Sequence, residues 1–282
     1  MSDAVGTQAA PPTQTSRRVV RVYFWSRLQH RRLVRLQAWL FAGLWLGVLT
    51  PADLDNVDDT FYVGDRLDRQ SPIDYTGGEY NRQGLFTWEG RAIDEHFSGL
   101  GSLALMAAGG GREVLALARK GFRVDAWECQ PRFVTAANAL LVAEGFEPTV
   151  VYARRNEVPP AVRRCDGAVV GWGAYSLIPT RDRRIAVLRE LRARLEPGAP
   201  ILVSFLTRHP SDPQFRVVAA LANTVRFVLR RDRVEVGDVL QPNFLHLFVE
   251  DELDEELAAG GFQMLSFAQE PYGHAVAVAV EP

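Results

Sequence analysis

Residues 103–131 read LALMAAGGGREVLALARKGFRVDAWECQP. The apolar run Ser102–Ala107 meets three consecutive glycines, and a helical pattern follows over Arg112–Lys120. Gly121 stands where a helix C-terminus favours a left-handed residue. A second apolar run, Phe122–Glu128, ends in an acid. Strand, glycine turn, helix, strand and acid in that order predict a parallel βαβ unit. Glycine lets backbone approach a ligand closely, and the free N–H groups opening the helix attract electronegative ligand atoms. Glu128, at the end of the second strand, is placed to accept both ribose hydroxyls of an adenosine.

Downstream, short apolar runs alternate with amphipathic helices. Val150–Tyr152, Gly167–Trp172 and Ile201–Phe205 read as further strands. Pro131 opens a helix that Gly145 closes, and Arg181–Leu195 carries Ile185, Leu188, Leu191 and Leu195 on one stripe before Pro197-Gly198 ends it. Then come a strand at Phe244–Phe248, a helix at Asp251–Ala259, and two runs, Phe262–Phe267 and Ala275–Val280, whose short link predicts an antiparallel hairpin. The fold expected is α/β, a Rossmann-like sheet ending in that hairpin. Residues 206–243, with a helix over Gln214–Leu229, are too long for a plain connection and are expected to form a substrate-side insertion.

Upstream, residues 1–16 are polar and small and predict a disordered tail without the pattern of a signal peptide. Residues 17–98 predict a helical cap or lid with an irregular stretch at Asp53–Gly78, and residues 99–282 the main domain. Seven arginines lie between Arg17 and Arg35, ahead of Trp39 and Trp45. The expectation is a helix packing Phe24, Leu28, Leu36, Leu40 and Leu44 on the main domain with arginines in water; the alternative is a helix on a membrane surface. The apolar run within Leu36–Leu49 falls short of the ~17–20 residues that cross a bilayer.

The chain has 282 residues, 47% hydrophobic and 23% charged, enough for a real core. A net charge of -2 provides no global attraction for nucleic acid. Lys120 is the single lysine, so arginine supplies nearly all the basic charge. Two cysteines, Cys129 and Cys165, suit a reducing cytoplasm and cannot alone hold zinc, so no metal is expected.

The glycine loop and acid resemble those of class I S-adenosylmethionine-dependent methyltransferases. Ala107, Gly109 and Gly111 fall on the three positions of the family's glycine-rich motif, and Glu128 on its ribose-binding acid. Asp166–Val170 looks like the fourth strand, and Leu188–Phe205 like the helix, Pro-Gly turn and fifth strand. The resemblance covers Leu100–Val280 and implies S-adenosyl-L-methionine as cofactor. Two departures stand out. Leu105 replaces a customary acid, and Arg154, Arg155 and Asn156 stand where an acid near the adenine amine is usual. Cofactor contacts are therefore expected from Ala107, Gly109, Gly111, Glu128, Cys129, Asn156 and Trp172, with Glu89 substituting for the missing acid at the methionine ammonium.

Gly171-Trp172-Gly173-Ala174-Tyr175-Ser176 follows the fourth strand and lacks the Asn/Asp-Pro-Pro-Tyr run of base- and amide-methylating relatives. A small-molecule acceptor follows, with O-methylation first, His209 as base and Tyr175 facing the acceptor. Tyr80, Trp88, Tyr175 and His209 are expected to converge in one cavity. Two alternatives stay open: a protein of this fold that binds the cofactor without methyl transfer, and a nicotinamide-dependent oxidoreductase.

Overall fold

The structure, a computed structural model, describes residues 14–63, 74–160 and 162–281, with side chains from residue 18 on. Among the described residues four helices precede the first strand: α1 (Gln14–Val48), α2 (Pro51–Val63), α3 (Gly78–Arg82) and α4 (Thr87–His96). Then β1 (Ser102–Met106), α5 (Arg112–Arg119), β2 (Arg123–Glu128), α6 (Pro131–Ala143), β3 (Val150–Tyr152), β4 (Gly167–Val170), α7 (Arg181–Arg192) and β5 (Pro200–Ser204) alternate. The chain continues through β6 (Leu206–Thr207), α8 (Pro213–Leu229), β7 (Asp238–Leu240), β8 (Phe244–Phe248), α9 (Glu250–Ala259), β9 (Phe262–Ala268) and β10 (His274–Ala279).

Seven strands form one sheet in the order β3-β2-β1-β4-β5-β10-β9. The first five are parallel, and β10 runs antiparallel between β5 and β9, as the hairpin expected. Alternate residues of each strand feed opposite faces. Leu103, Leu105, Val169 and Leu202 meet Ile93, Val114 and Leu141 on one side, whereas Ala104, Met106, Val170 and Val203 meet Leu188, Leu191 and Leu257 on the other. Helices on both faces explain why β1, β4 and β5 are buried throughout and mostly apolar.

Three expectations about the accessory segments change. First, Asp53–Gly78 is not irregular at its start: Pro51–Val63 is helical. Thr50 and Asp53 cap it reciprocally, Thr50 N–H donating to Asp53 Oδ2 at 2.8 Å and Asp53 N–H to Thr50 Oγ1 at 3.2 Å. Second, β8 joins β7 and β6 in a separate three-stranded sheet. With α8 this sheet builds a third core, in which Leu46 and Leu54 meet Val218, Ala222 and Phe244. Third, the apolar stripe of α1 does not pack on the main domain. Phe24, Leu28, Leu36, Leu40 and Leu44 are all exposed, and contact is confined to the C-terminal part of α1 around Gly43, Leu46 and Gly47. Gly43 and Gly47 have no side chain, so α8 comes close enough that an added Cβ would lie 2.8 Å from Leu221 Cβ or 2.6 Å from Val225 Cβ. The tail expected over 1–16 lies mostly outside the described residues, and α1 already begins at Gln14.

Candidate active site

The loop after β1 follows from its residues. Ala107, Gly109 and Gly111 take positive φ of 60°, 53° and 96°, a backbone region that glycine enters at little cost. Gly111 caps α5, and Ala108 N–H donates to Trp127 O at 3.0 Å, tying the loop to β2. Gly110 admits no side chain, because a Cβ there would stand 1.9 Å from the Tyr75 carbonyl oxygen. Asn81 of α3 holds that carbonyl through Nδ2 at 3.0 Å, so the segment before α4 lies directly over the glycines.

Glu128 is buried at the end of β2 and already organised by backbone. Its Oε2 accepts Gly109 N–H at 2.9 Å, and its Oε1 accepts Cys129 N–H at 2.7 Å and Gln130 N–H at 2.9 Å. A carboxylate has about four acceptor sites. Three are used, which leaves capacity for one ligand hydroxyl where the sequence suggested two.

These groups border a cavity of about 120 Å³ that opens to solvent. Ala107, Gly109, Glu128, Cys129, Asn156 and Trp172 all line it. Residues that the sequence did not single out line it as well: Asp58 and Tyr62 of α2, Tyr75, Trp127 and Phe133. Tyr62 and Tyr75 pack edge-on or tilted against Phe133, with centroids 6.0 and 6.3 Å away. Asp58 pairs with Arg155, and Asn243 Nδ2 donates to its other oxygen at 2.6 Å. Burial pushes the Asp58 carboxyl up to about 6, against the pull of Arg155. Burial likewise raises the Cys129 thiol, which stays protonated at neutral pH. The helical i, i+4 spacing of Asp58 and Tyr62 was the available signal, hidden by reading that segment as irregular.

Other expected residues lie elsewhere. Gly111 shapes the loop and packs on Ala137 without lining the cavity. Glu89 is buried against Arg112, with oxygen–nitrogen distances of 2.6 and 2.7 Å, and accepts Phe86 N–H at 2.7 Å. Held there by a guanidinium shared with Glu113, it does not line the cavity where the ammonium was expected. Tyr175 is fully buried in the core, donating to Glu256 Oε2 at 2.7 Å and stacked on Phe248. His209 is exposed, its Nδ1 2.7 Å from Ser211 Oγ. Neither reaches the cavity. The expected convergence also fails for Tyr80, which meets Tyr75, and for Trp88, which stacks on Tyr272 and His274.

Two cavity-lining side chains carry buried donors with no protein partner, Trp127 Nε1 and Arg155 Nε. A Cβ at Gly109 would meet open space. Unmet donors and an open backbone beside a fixed carboxylate fit a ligand rich in acceptors and hydroxyls, as an adenosine-containing cofactor is. Metal ligation has less support: among the described residues Glu235, Asp238 and His246 cluster, but Arg184 donates to Glu235 at 2.5 Å.

Strand order, the antiparallel tenth strand and the glycine loop define the fold of S-adenosylmethionine-dependent methyltransferases. The chain is similar to the 1,6-didemethyltoxoflavin-N1-methyltransferase of Burkholderia thailandensis, solved with 1,6-didemethyltoxoflavin and S-adenosylhomocysteine, at TM-score 0.56 and 18% identity over 83% of this chain and 92% of that one. It is also similar to the CcbJ methyltransferase of Streptomyces caelestis (TM-score 0.55, 16% identity, 79% and 100% covered) and to a methyltransferase of Methanosarcina mazei (0.54, 16%, 71% and 100%). No protein-family model and no curated sequence matches the chain.

Proposed function

We infer that the protein transfers a methyl group from S-adenosylmethionine to a small-molecule acceptor. The observation that carries this reading is the Glu128 carboxylate, fixed by three backbone N–H groups at the carboxyl edge of a methyltransferase-type sheet, beside a cavity walled by aromatics. Ligands of open α/β sheets bind at that edge. Bound there, the cofactor supplies an electrophilic methyl on a sulfonium.

The chain's own residues bind and align. Glu128 takes a ribose hydroxyl, Ala107 and Gly109 allow close backbone approach, and Cys129, Arg155 and Asn156 border the base. Asp58 stands at the same corner, brought from α2 to where the sequence shows no acid after β3. Tyr62, Tyr75, Phe133 and Trp172 exclude water and favour a flat, largely apolar acceptor. Among the described residues no histidine lines this cavity. An oxygen acceptor would then be one already acidic, a phenol or an enol, that reaches the site without a strong base. Alignment of that oxygen with the methyl supplies much of the rate.

Calorimetry with S-adenosylhomocysteine is the first test, with micromolar binding expected. Release of S-adenosylhomocysteine from S-adenosylmethionine in the presence of phenolic acceptors is the second. Heat with NADH and none with either sulfur ligand would overturn the reading in favour of an oxidoreductase.

A further inference from the structure

The first three-quarters of α1 touch little of the molecule. Large apolar side chains crowd it, and Phe24, Leu33 and Phe41 are 65%, 65% and 62% exposed. At ~100° per residue, Val22, Leu33, Leu40 and Leu44 fall within about 40° of one another. That stripe lies well round the helix from Trp39, Ala42 and Leu46, which face the third core. Arg18 and Arg27 flank it, and Arg21, Arg31, Arg32 and Arg35 occupy the opposite side, all exposed. Val20, Phe24 and Leu28 stand among these arginines.

Charge decides what covers such a surface. No acidic residue occurs between Ala4 and Ala52, while seven arginines do. A second copy of the helix, packed stripe to stripe, would turn the arginine rows outward and leave them with no charge to neutralise them. A bilayer containing anionic lipid offers both an apolar interior for the stripe and phosphates for the guanidinium groups. No single helix among the described residues is long and apolar enough to cross a membrane, and arginines exposed from Arg18 to Arg35 suit a helix lying in the plane of the surface. The end of α8 extends the same kind of surface. Phe227 and Val228 are 85% and 75% exposed, Arg230, Arg231 and Arg233 follow, and Arg231 Nη1 donates to the Val48 carbonyl at the end of α1.

We propose that α1 docks the protein on an anionic lipid surface, its Val22–Leu44 stripe entering the acyl boundary and its arginines pairing with headgroup phosphates. The contact is peripheral and electrostatically steered. It is independent of the methyl-transfer reading, since no α1 residue lines the cavity.

The test is flotation of the full-length protein with vesicles of phosphatidylcholine alone and with phosphatidylglycerol added. Binding is expected on the anionic vesicles and weakly on the neutral ones, falling as salt rises. Arg27→Gln, Arg31→Gln, Arg32→Gln and Arg35→Gln together should lower partitioning on the order of a hundredfold. Leu33→Ser, Leu40→Ser and Leu44→Ser should do the same while leaving the melting temperature and S-adenosylhomocysteine affinity intact, which separates lost docking from lost folding. The proposal is overturned if wild type stays off anionic vesicles at low salt, or if the arginine variant binds as well as wild type. Self-association abolished by the serine variant, with no vesicle binding, would overturn it too.

Discussion

At the scale of single residues, Glu128 has a narrower chemical role than its position in the sequence implies. A carboxylate with three backbone donors in place is oriented before any ligand arrives. Glu128→Ala should weaken S-adenosylhomocysteine binding by roughly 1.5–3 kcal/mol, the scale of a hydrogen bond to a charged group. Glu128→Gln should offer little rescue. An amide fitted with its oxygen toward Cys129 and Gln130 N–H turns its NH₂ onto Gly109 N–H, donor against donor. Calorimetry on both variants checks this, and a glutamine variant that binds like wild type would contradict the bonding described. Asp58 makes a prediction of its own. Its carboxyl is raised by burial from an ordinary 3.8 to about 6 in the folded chain. Its contribution to stability is then fully present below pH ~4 and lost as pH rises through ~6, because the folded state holds the proton that the unfolded chain releases. Relative to Asp58→Asn, wild type should lose stability between pH 4 and 6 and run parallel above. The opposite slope in denaturant melts would mean that the Arg155 pairing outweighs burial.

At the scale of elements, α4 and α5 meet through charge. Arg112, at the start of α5, is buried against Glu89 and Glu113, with nitrogen–oxygen distances of 2.6–2.7 Å. Its guanidinium also lies 3.9 Å from the centroid of the Phe86 ring. Two carboxylates share the one guanidinium, so without Glu89 the Arg112–Glu113 pair remains. Glu89→Ala should therefore cost less than the ~3–5 kcal/mol of a fully broken buried pair. Its effect should appear as a lower denaturation midpoint, with S-adenosylhomocysteine affinity per folded molecule nearly unchanged. A large loss of affinity at unchanged stability would return Glu89 to the binding site. The element α2 shows the converse case. Its run of aspartates at 53, 55, 58 and 59 looks unsuited to packing, yet Asp53 caps the helix and Asp55, Asp58 and Asp59 meet Arg183 and Arg155. The N-terminal helices and the segment around α8 thus hold each other and one rim of the cavity. Residues 206–243 contribute no cavity wall of their own.

At the scale of the whole molecule, the sheet was legible because its signals are local. Apolar runs of strand length, helical stripes between them, and Gly121 and Gly145 at helix ends each report on a few neighbouring residues, and their order alone dictates parallel crossovers. The glycine loop and Glu128 were legible for the same reason, lying 19 residues apart within one βαβ unit. The second sheet and the course of α1 were not. An amphipathic pattern says that a face is apolar without saying what meets it, so the stripe of α1 was assigned to a core that never reaches it. What the sequence by itself determined is the α/β framework and the half of the cavity carried on the carboxyl ends of β1, β2 and β4. Tertiary structure alone decided the other half. Asp58 meets Arg155 from 97 residues away and Asn243 from 185, and Tyr175 gives its hydroxyl to Glu256 across 81. Pairings of that range depend on which surfaces are left over once the sheet has closed, and no local pattern in the chain encodes that remainder.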